Sequence, residues 1–471
     1  MEVDPLFTPL HADLTYELEV KGFLECENGV WSGTVSHDDG RSWPVEINMR
    51  SGYPTYPPSV KRKDSAPLTW HQNFDGSMCL YSQTQPGQFP WFQHGGLLTK
   101  ITNWLVQADA GWPNETNPDL DLERYWEQSS RYKLLVHSDL SDWPVGKDLR
   151  FQWGNNSGVL FQAGIPHKAA KRNKKPRNVY GMLTDVGELL QPPRKWEDLQ
   201  NLVSNLGKIE SLVRSGRIKL LLVRYSRAGY TGILGLAMSV QHGLVSAKAI
   251  NCAEWSEEIT SLRAGPQAEV LQSSHIAIVG IGAVGSFVAD GLFRSGARRL
   301  TLIDGDRLRP GNLVRHAASS DFIGLMKGEA MARTLGTDHK SISYHNTSLS
   351  TMIEARHVIE VADLVIDATA NQVTTTLLRE AAKDAKTQIF TVYLANQGRS
   401  HVVTVHPSPE EPDVEVTYML PLADDGIEKG CGDPVSPTPP YAVQEVAAMA
   451  CRKIVDFFIK GTAQSKVQEF L

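Results

Sequence analysis

Apolar and polar residues alternate in GVWSGTVSH and again in SWPVEINM, with DDGR between them, which is the pattern of two half-buried strands joined by a turn. From Val20 to about Lys63 this predicts an antiparallel meander. A proline-rich run, YPTYPP, follows, then a loop-like stretch holding His71 and Cys79. Leu97, Ile101, Trp104 and Leu105 recur at helical spacing and predict a helix over Gly96 to Gln107. Between Ser141 and about residue 271 the periodicity weakens: Trp196 to Val213 reads as a helix, IKLLLVRYS and TGILGLAMSV as strands. From His275 the texture becomes strand, glycine turn, helix, strand: HIAIVG, IGAVGSFVADGLFRSGA, RRLTLID, with ADLVIDATA and QIFTVYLA as later buried strands. Such alternation predicts a parallel sheet with helices on both faces. The fold class expected is α/β, with an α+β domain over 1–140, a small α+β linker domain over 141–271 and a Rossmann-type domain over 272–471.

The bulk numbers agree with several soluble domains. A chain of 471 residues exceeds one ordinary core, and 41% apolar with 21% charged residues is a globular composition. A net charge of -6 gives no general attraction to nucleic acid or anionic lipid. The basic stretch Lys168 to Arg177 lacks interleaved aromatics and reads as a solvated loop, so no nucleic-acid partner is expected. The opening MEVDPLF lacks the basic start and apolar core of an export signal, and the cytoplasm is expected. The most apolar stretch, His275 to Ala289, is interrupted by three glycines and is too short to span a bilayer. Five scattered cysteines without a CxxC pair argue against a disulfide framework or a tetrahedral zinc site.

Gly280, Gly282 and Gly285 form G-x-G-x-x-G between a predicted strand and a predicted helix, where backbone amides can approach phosphate oxygens. Asp304 ends the next strand, where a carboxylate can meet a ribose hydroxyl. Up to this point a nicotinamide or flavin dehydrogenase fits equally well. Beyond Asp304 come Asn312, Arg315 and Lys327, an amide and two cations able to converge on a triphosphate, which a dehydrogenase does not need. Asp367, ending the strand ADLVIDATA, is a hard oxygen ligand suited to Mg²⁺ shared with phosphates.

These residues, in this order, resemble the ThiF/MoeB/ubiquitin-activating adenylation family over about Gln272 to the C-terminus. The resemblance implies ATP as substrate, ribose binding by Asp304, phosphate contacts from Asn312, Arg315 and Lys327, and Mg²⁺ on Asp367. It also implies a homodimer in which Arg263 acts on the ATP of the partner subunit. Two departures are visible. Ala370 stands where many members have a second carboxylate, and the frequent zinc cysteines are missing.

Two thiols are candidates for chemistry. Cys431 lies in GCGDPVSPTPP, whose glycines and prolines hold it in a loop rather than a packed element. The loop is similar to the G-C-x-D-P thioester loops of bacterial ubiquitin-activating-type enzymes, which makes Cys431 the first acyl acceptor. Cys79 lies in HQNFDGSMCL, after the meander and YPTYPP. That order resembles ubiquitin-conjugating enzymes over residues 1 to 140, with Gln72 at the middle of the family's H-P-N and a gap to the cysteine shorter by about two residues. A thioester cysteine needs exposure and a hydrogen-bond donor that steadies the oxyanion formed during aminolysis. Asn73 is the candidate donor, and His71 is expected to fix the loop. Cys26, Cys252 and Cys451 lie in strand- or helix-like surroundings and are assigned to packing.

The combination resembles the fused activating and conjugating enzymes of bacterial ubiquitin-like pathways, notably the CD-NTase-associated family of CBASS antiphage systems. The function so implied is ATP-dependent adenylation of a protein's C-terminal carboxylate, thioester capture on Cys431, transfer to Cys79 and ligation to a target lysine amine. The activated partner would be a cyclic-nucleotide synthase or a ubiquitin-like protein. Two alternatives stand beside it. One is a sulfur-carrier adenylyltransferase whose N-terminal domain only recognises a partner, the other a nicotinamide oxidoreductase.

Overall fold

The computed structural model describes residues 5–49, 53–66, 68–81, 89–113, 120–154, 158–165, 178–336, 342–407 and 436–470. Internal contacts divide the chain into two units, residues 1–256 and 257–471.

In the first unit, helix α1 (Thr8–Val20) precedes an antiparallel sheet of β1 (Leu24–Glu27), β2 (Val30–Ser36), β3 (Ser42–Asn48) and β4 (Ser59–Arg62), paired in sequence order. Alternation works as expected: Trp43, Val45 and Ile47 of β3 point into the core while Ser42 and Pro44 face out. Helix α2 (Gly96–Asp109) lays Leu97, Ile101, Trp104 and Leu105 onto that core, where the helical spacing predicted them. Helix α1 carries too narrow a stripe to predict, burying only Leu14, Glu17 and Leu18.

The segment expected as a small α+β linker domain is built around a closed barrel. Strands β5 (Leu134–His137), β6 (Asp148–Trp153), β7 (Val159–Gln162), β8 (Val179–Glu188), β9 (Leu220–Arg227), β10 (Tyr230–Gln241) and β11 (Leu244–Glu254) close in the order β10-β11-β5-β7-β6-β8-β9. Three of them are four to six residues long, which is why periodicity alone did not reveal them. Leu220 and Leu222 of β9 fill the interior with Leu135, Phe151 and Leu160, whereas Leu221, Val223 and Tyr225 pack outward against Trp196 and Ile209. Burial on both faces explains the unbroken apolar run of β9. The helix predicted over Trp196 to Val213 is two helices, α3 (Trp196–Gln200) and α4 (Leu206–Arg214), broken at Asn201 to Asn205. Glu210 of α4 ties them together by accepting hydrogen bonds from Trp196 Nε1 and Gln200 Nε2, each at 3.3 Å.

Sheet and barrel are locked to each other within this unit. Trp70 donates through Nε1 to the Leu190 carbonyl at 3.0 Å, and the buried Arg227 guanidinium lies 3.8 Å above its ring.

The second unit opens with two short helices, α5 (Glu257–Leu262) and α6 (Ala268–Ser273). Strand β12 (His275–Val279) leads into α7 (Ala283–Arg294), then β13 (Arg299–Ile303), α8 (Lys327–Leu335), β14 (Ile342–His345), α9 (Met352–Val361), β15 (Leu364–Asp367), α10 (Gln372–Ala382) and β16 (Gln388–Ala395). After β17 (Ser400–His406) come the long helix α11 (Pro440–Lys460) and β18 (Lys466–Glu469). The sheet order is β14-β13-β12-β15-β16-β17-β18, the first five strands parallel to one another, with β17 antiparallel to β16 and β18 antiparallel to β17. Helices α7, α8 and α11 cover one face, α9 and α10 the other. The predicted parallel layer is thus present, extended by an antiparallel edge. Among the described residues no helix is long and apolar enough to cross a membrane.

Of the three cysteines assigned to packing, Cys451 is partly buried on α11 against α7, and desolvation there pushes its thiol up to about 12. Cys252 in β11 is likewise raised by burial. Cys26 differs: it is exposed on the edge strand β1, so it takes no part in the core.

A short 3₁₀ turn, Leu122–Tyr125, runs between the sheet and the barrel and carries Glu123, which is 8% exposed and accepts the Cys252 N–H at 3.1 Å. Burial, reinforced by neighbouring Asp121, pushes the Glu123 carboxyl up to about 8. Between the ordinary carboxylate range and pH 8 the folded protein therefore holds a proton that the unfolded chain has released. The resulting stabilisation is complete at acidic pH and is lost as pH rises through about 8. The Glu123→Gln variant should lose less thermal stability than the parent between pH 5 and pH 9, a difference that calorimetric scans at the two pH values would measure.

Candidate functional site

In the second unit the sheet register brings three strand ends to one level. Val279 of β12 pairs with Ile303 of β13 on one side and with Asp367 of β15 on the other. Gly280, Asp304 and Asp367 therefore sit side by side at the carboxyl edge, and the order β13-β12-β15 makes this the point where the chain reverses its direction of winding. Gly280 adopts φ +86°, and a Cβ there would meet Ala368 and Thr369 backbone atoms at 2.8 Å. A Cβ on Gly285 would come within 1.9 Å of the Gly280 carbonyl oxygen. Both positions admit only glycine. Gly282 is the N-cap of α7 and makes no side-chain cap, so the first-turn amides of the helix are directed at the crevice, as an anion site requires.

The Asp304 carboxylate accepts the Ile281 N–H at 2.7 Å and the Asp306 N–H at 2.8 Å. Burial raises its pKa, against the opposing pull of Lys327. Lys327 begins α8, is 3% exposed, and bonds Asp306 at 2.8 Å. That pairing gives Asp306 a role the sequence did not reveal: it steadies a buried ammonium beside the loop. Asn312 lies in the 3₁₀ turn Pro310–Arg315, where its Oδ1 accepts the Arg309 N–H at 2.8 Å. Arg315 ends the same turn and donates to Ser436 Oγ. The structure thus gathers Asp304 and Lys327 by the glycine loop and employs Asn312 and Arg315 in holding their own loop and the residue after 435.

His316, absent from the candidate residues, is the loop's main brace. It is 5% exposed; Nε2 lies 2.8 Å from the Ile281 carbonyl, and Nδ1 accepts the Ala318 N–H at 3.0 Å. Nε2 must therefore donate, which fixes a neutral tautomer. Burial pushes this imidazole down to about 4. The only sequence signal was a histidine directly after N-L-V-R, which carries no pattern of its own.

Asp367 is fully buried, and its carboxylate accepts the Thr369 hydroxyl at 2.6 Å, the Thr369 N–H at 3.0 Å and the Thr375 hydroxyl. A carboxylate oxygen is a hard ligand of the kind Mg²⁺ takes. Among the described residues no group of three or more acidic, histidine or cysteine ligands gathers, so an ion here would take most of its coordination from phosphates and water. Ala370 has φ +51° in the turn after it, and Asn371 caps α10 by accepting from Val373 and Thr374.

The first unit holds the other candidate thiol on a tight hairpin. Cys79 N–H donates to the His71 carbonyl at 2.8 Å, and Asn73 N–H to the Ser77 carbonyl at 2.8 Å, which puts Cys79 opposite His71 and Asn73 opposite Ser77. Cys79 is partly exposed. His71, at φ +58°, fixes the turn as expected: its carbonyl also accepts Trp104 Nε1, its N–H donates to the Tyr125 hydroxyl, and its ring rests on Trp112. The exposed Asn73 gives one amide hydrogen to Ser77 Oγ at 2.9 Å and receives Arg124 on its carbonyl oxygen at 3.1 Å. Among the described residues no hydrogen bond joins Asn73 to Cys79. Arg194, arriving from the barrel side, donates to the Asn73 and Phe74 carbonyls and to Gln72 Oε1. Cys431 lies outside the described residues, in the stretch between β17 and α11, as does the basic stretch Lys168 to Arg177. Arg263 is an exposed residue just past α5.

Gly285→Ala should lower the unfolding temperature of the second unit while the first unit unfolds unchanged, as read by differential scanning calorimetry. His316→Phe should destabilise the second unit in the same measurement by about 1 to 3 kcal/mol, since the Ile281 carbonyl loses its buried donor.

Residues 255–457 match the ThiF family. A relative in Sinorhizobium fredii, the uncharacterised protein y4oA, is 28% identical over 219 residues, covering 40% of this chain and 37% of that protein. The ATP-dependent ubiquitin transferase-like protein Cap2 of Enterobacter hormaechei is 26% identical over 248 residues, covering 47% of this chain and 41% of that protein. The chain thus spans less than half the length of these curated relatives. Among solved structures, E. coli MccB with ATP superposes at a TM-score of 0.34 with 18% identity, over 43% of this chain and 66% of that one, a likeness too loose to bear on the fold. Residues 255–457 are thus similar to the ThiF family.

Proposed function

We propose that the chain adenylates the C-terminal carboxylate of a partner protein with ATP, captures the acyl group on Cys431, passes it to Cys79 and delivers it to a lysine amine of a target. The observation that carries this reading is the convergence of the glycine-loop amides, Asp304, Lys327 and Asp367 at the switch point of the parallel sheet. The ThiF match and the relative named as an ATP-dependent ubiquitin transferase-like protein support it. The setting proposed with it is bacterial antiphage defence, with a cyclic-nucleotide synthase or ubiquitin-like protein as the activated partner, on the resemblance carried by the two thiol motifs.

In this reading the amides of Gly282 to Gly285 receive phosphate oxygens, and Asp304, already holding the loop amide of Ile281, accepts a ribose hydroxyl. Lys327 turns from Asp306 toward the phosphates, joined by Asn312 and Arg315. Asp367 would hold Mg²⁺, which supplies charge neutralisation to the triphosphate when bound. A carboxylate is a poor electrophile; attack of its oxygen on the α-phosphorus expels pyrophosphate and creates an acyl-adenylate with a good leaving group. The Cys431 thiolate then forms a thioester and releases AMP, and Cys79 takes over the acyl group by thiol exchange. Asn73 keeps one amide hydrogen beyond the one given to Ser77, and that hydrogen would steady the oxyanion when the lysine amine attacks. Carrying both thiols on one chain raises their mutual effective concentration, into the millimolar range for a flexible link of order ten residues or more. A homodimer, with Arg263 reaching the partner subunit's nucleotide, completes the proposal.

A second reading is favoured by one observation, the engagement of Asn73 with Ser77 and Arg124 rather than Cys79: the first unit would then only recognise a partner, and the chain would serve a sulfur carrier. The Cys79→Ala variant separates the two. Under conjugation it keeps ATP–pyrophosphate exchange and the thioester on Cys431 but yields no isopeptide product; under the sulfur-carrier reading carrier activity persists. Cys431→Ala should keep exchange and form no thiol-sensitive adduct on a denaturing gel. Asp367→Ala should lower exchange by about 100-fold or more, the scale for loss of a charge-stabilising group. Exchange at the parental rate would remove Asp367 from the nucleotide site.

A further inference from the structure

The side-chain amide of Asn73 is held at both ends, and its two partners fix which end is which. Arg124 Nη2 lies 3.1 Å from Asn73 Oδ1, and a guanidinium only donates, so the atom that faces it is the carbonyl oxygen. On the other side Ser77 gives its hydroxyl hydrogen to Asp75 at 2.7 Å. The Ser77 oxygen is therefore left to accept, and Asn73 Nδ2 donates to it at 2.9 Å. The two assignments agree, and neither contact uses the second Nδ2 hydrogen.

The hairpin turns this amide toward the thiol. Gln72 faces Met78 in an antiparallel bridge, with the Asn73 N–H bonded to the Ser77 carbonyl on one side of it and the Cys79 N–H bonded to the His71 carbonyl on the other. Alternation along the paired segments places Asn73, Ser77 and Cys79 on one face and Gln72 and Met78 on the opposite one. Burial follows the same division at the ends that matter: Gln72 and Met78 are buried, Asn73 is exposed and Cys79 is partly exposed. Asn73 and Cys79 are thus diagonal neighbours across the hairpin, close enough for the amide to reach a group carried on the sulfur.

We infer that Arg124 is a positioning residue for acyl transfer from Cys79, acting through Asn73. The inference rests on the conjugation reading of Cys79. In that step the lysine nitrogen forms a C–N bond to the thioester carbonyl carbon, and the carbonyl electron pair moves onto oxygen. The oxyanion then collapses by expelling the Cys79 thiolate, and the amine proton passes to water. The second Nδ2 hydrogen of Asn73 is the donor to that oxyanion. Arg124 prepares it in two ways. It keeps the amide from turning its oxygen toward the anion, and its charge draws electron density onto Oδ1, which makes the remaining N–H a stronger donor.

Cys79 of the full chain is charged without ATP by exchange with the N-acetylglycyl thioester of mercaptoethanesulfonate, and Nα-acetyl-lysine methylamide serves as the amine. Mass spectrometry follows loss of the adduct, with Cys79→Ala marking acyl groups on other thiols. Arg124→Ala should charge to the parental extent and discharge about tenfold more slowly. Asn73→Ala should discharge about 100-fold more slowly, and adding Arg124→Ala to it should cost nothing further. A role confined to hairpin stability would not produce that non-additivity. Thermal denaturation checks folding, and Arg124→Met, which keeps the aliphatic stem, replaces an alanine variant that does not fold. A parental discharge rate in the folded Arg124 variant, or losses that add in the double variant, would overturn the inference. A parent adduct that discharges no faster than the mercaptoethanesulfonate thioester itself would overturn it together with the conjugation reading. Failure of ATP and a carboxylate partner to produce any adduct would count against the adenylation step alone.

Discussion

The crevice at the switch point of the parallel sheet exists because Gly285 in the first turn of α7 lies directly against the carbonyl of Gly280. A single methyl group at either glycine would collide with backbone, so α7 could not begin where it does, and its unpaired amides would no longer face the gap between β12 and β15. Much of the surrounding chemistry serves to keep that loop still. Asp304 holds the Ile281 N–H from one strand end and His316 holds the Ile281 carbonyl from the other side, so both polar groups of one peptide position are satisfied by ionisable residues in defined protonation states. The His316 brace depends on a neutral ring; its folded pKa lies below the ordinary histidine value, so its support is present above that value and fades as pH falls toward 4.

A parallel logic governs the first unit, with different parts. The hairpin carrying Cys79 is short and exposed and has little core of its own. Its geometry is imposed from outside: Trp104 and Tyr125 fix the two polar groups of His71, while Arg194 and Arg124 gather the oxygens of Gln72, Asn73 and Phe74. The barrel thus does more than connect. Its flank supplies Arg194 near α3, and the 3₁₀ turn that crosses from the sheet presents Arg124 and Tyr125 to the hairpin while burying Glu123 at a cavity. One four-residue turn is shared by the thiol hairpin and by the cavity beside the barrel.

Several features were legible in the residues because their physics is local. The period-two pattern of β2 and β3, the apolar spacing of α2, and the strand–glycine–helix signature at 280 to 285 each depend on neighbours a few positions apart, and all three recur in the folded chain. The alignment of Gly280, Asp304 and Asp367 followed from the same reasoning, since each ends a buried strand of a parallel sheet. What escaped notice was set by long-range pairing. Closure of the barrel joins strands as far apart in sequence as β5 and β11, and four-residue strands leave no periodicity to read. The break between α3 and α4 was masked by apolar residues such as Leu202 and Val203 that continue the helical spacing through it.

By itself the sequence determined where the helix-start amides open onto the crevice, because only glycine tolerates the close approach there and only a strand followed by a helix directs free amides into one crevice. It also placed Cys79 in a loop-like stretch rather than a packed element. The tertiary structure decided which side chains are already engaged: Asn73 with Ser77, Asp306 with Lys327, and His316 with the glycine loop. Hydrogen-bond partnership and burial depend on residues that are remote in the chain and adjacent in space, and no local pattern of residue types carries that information.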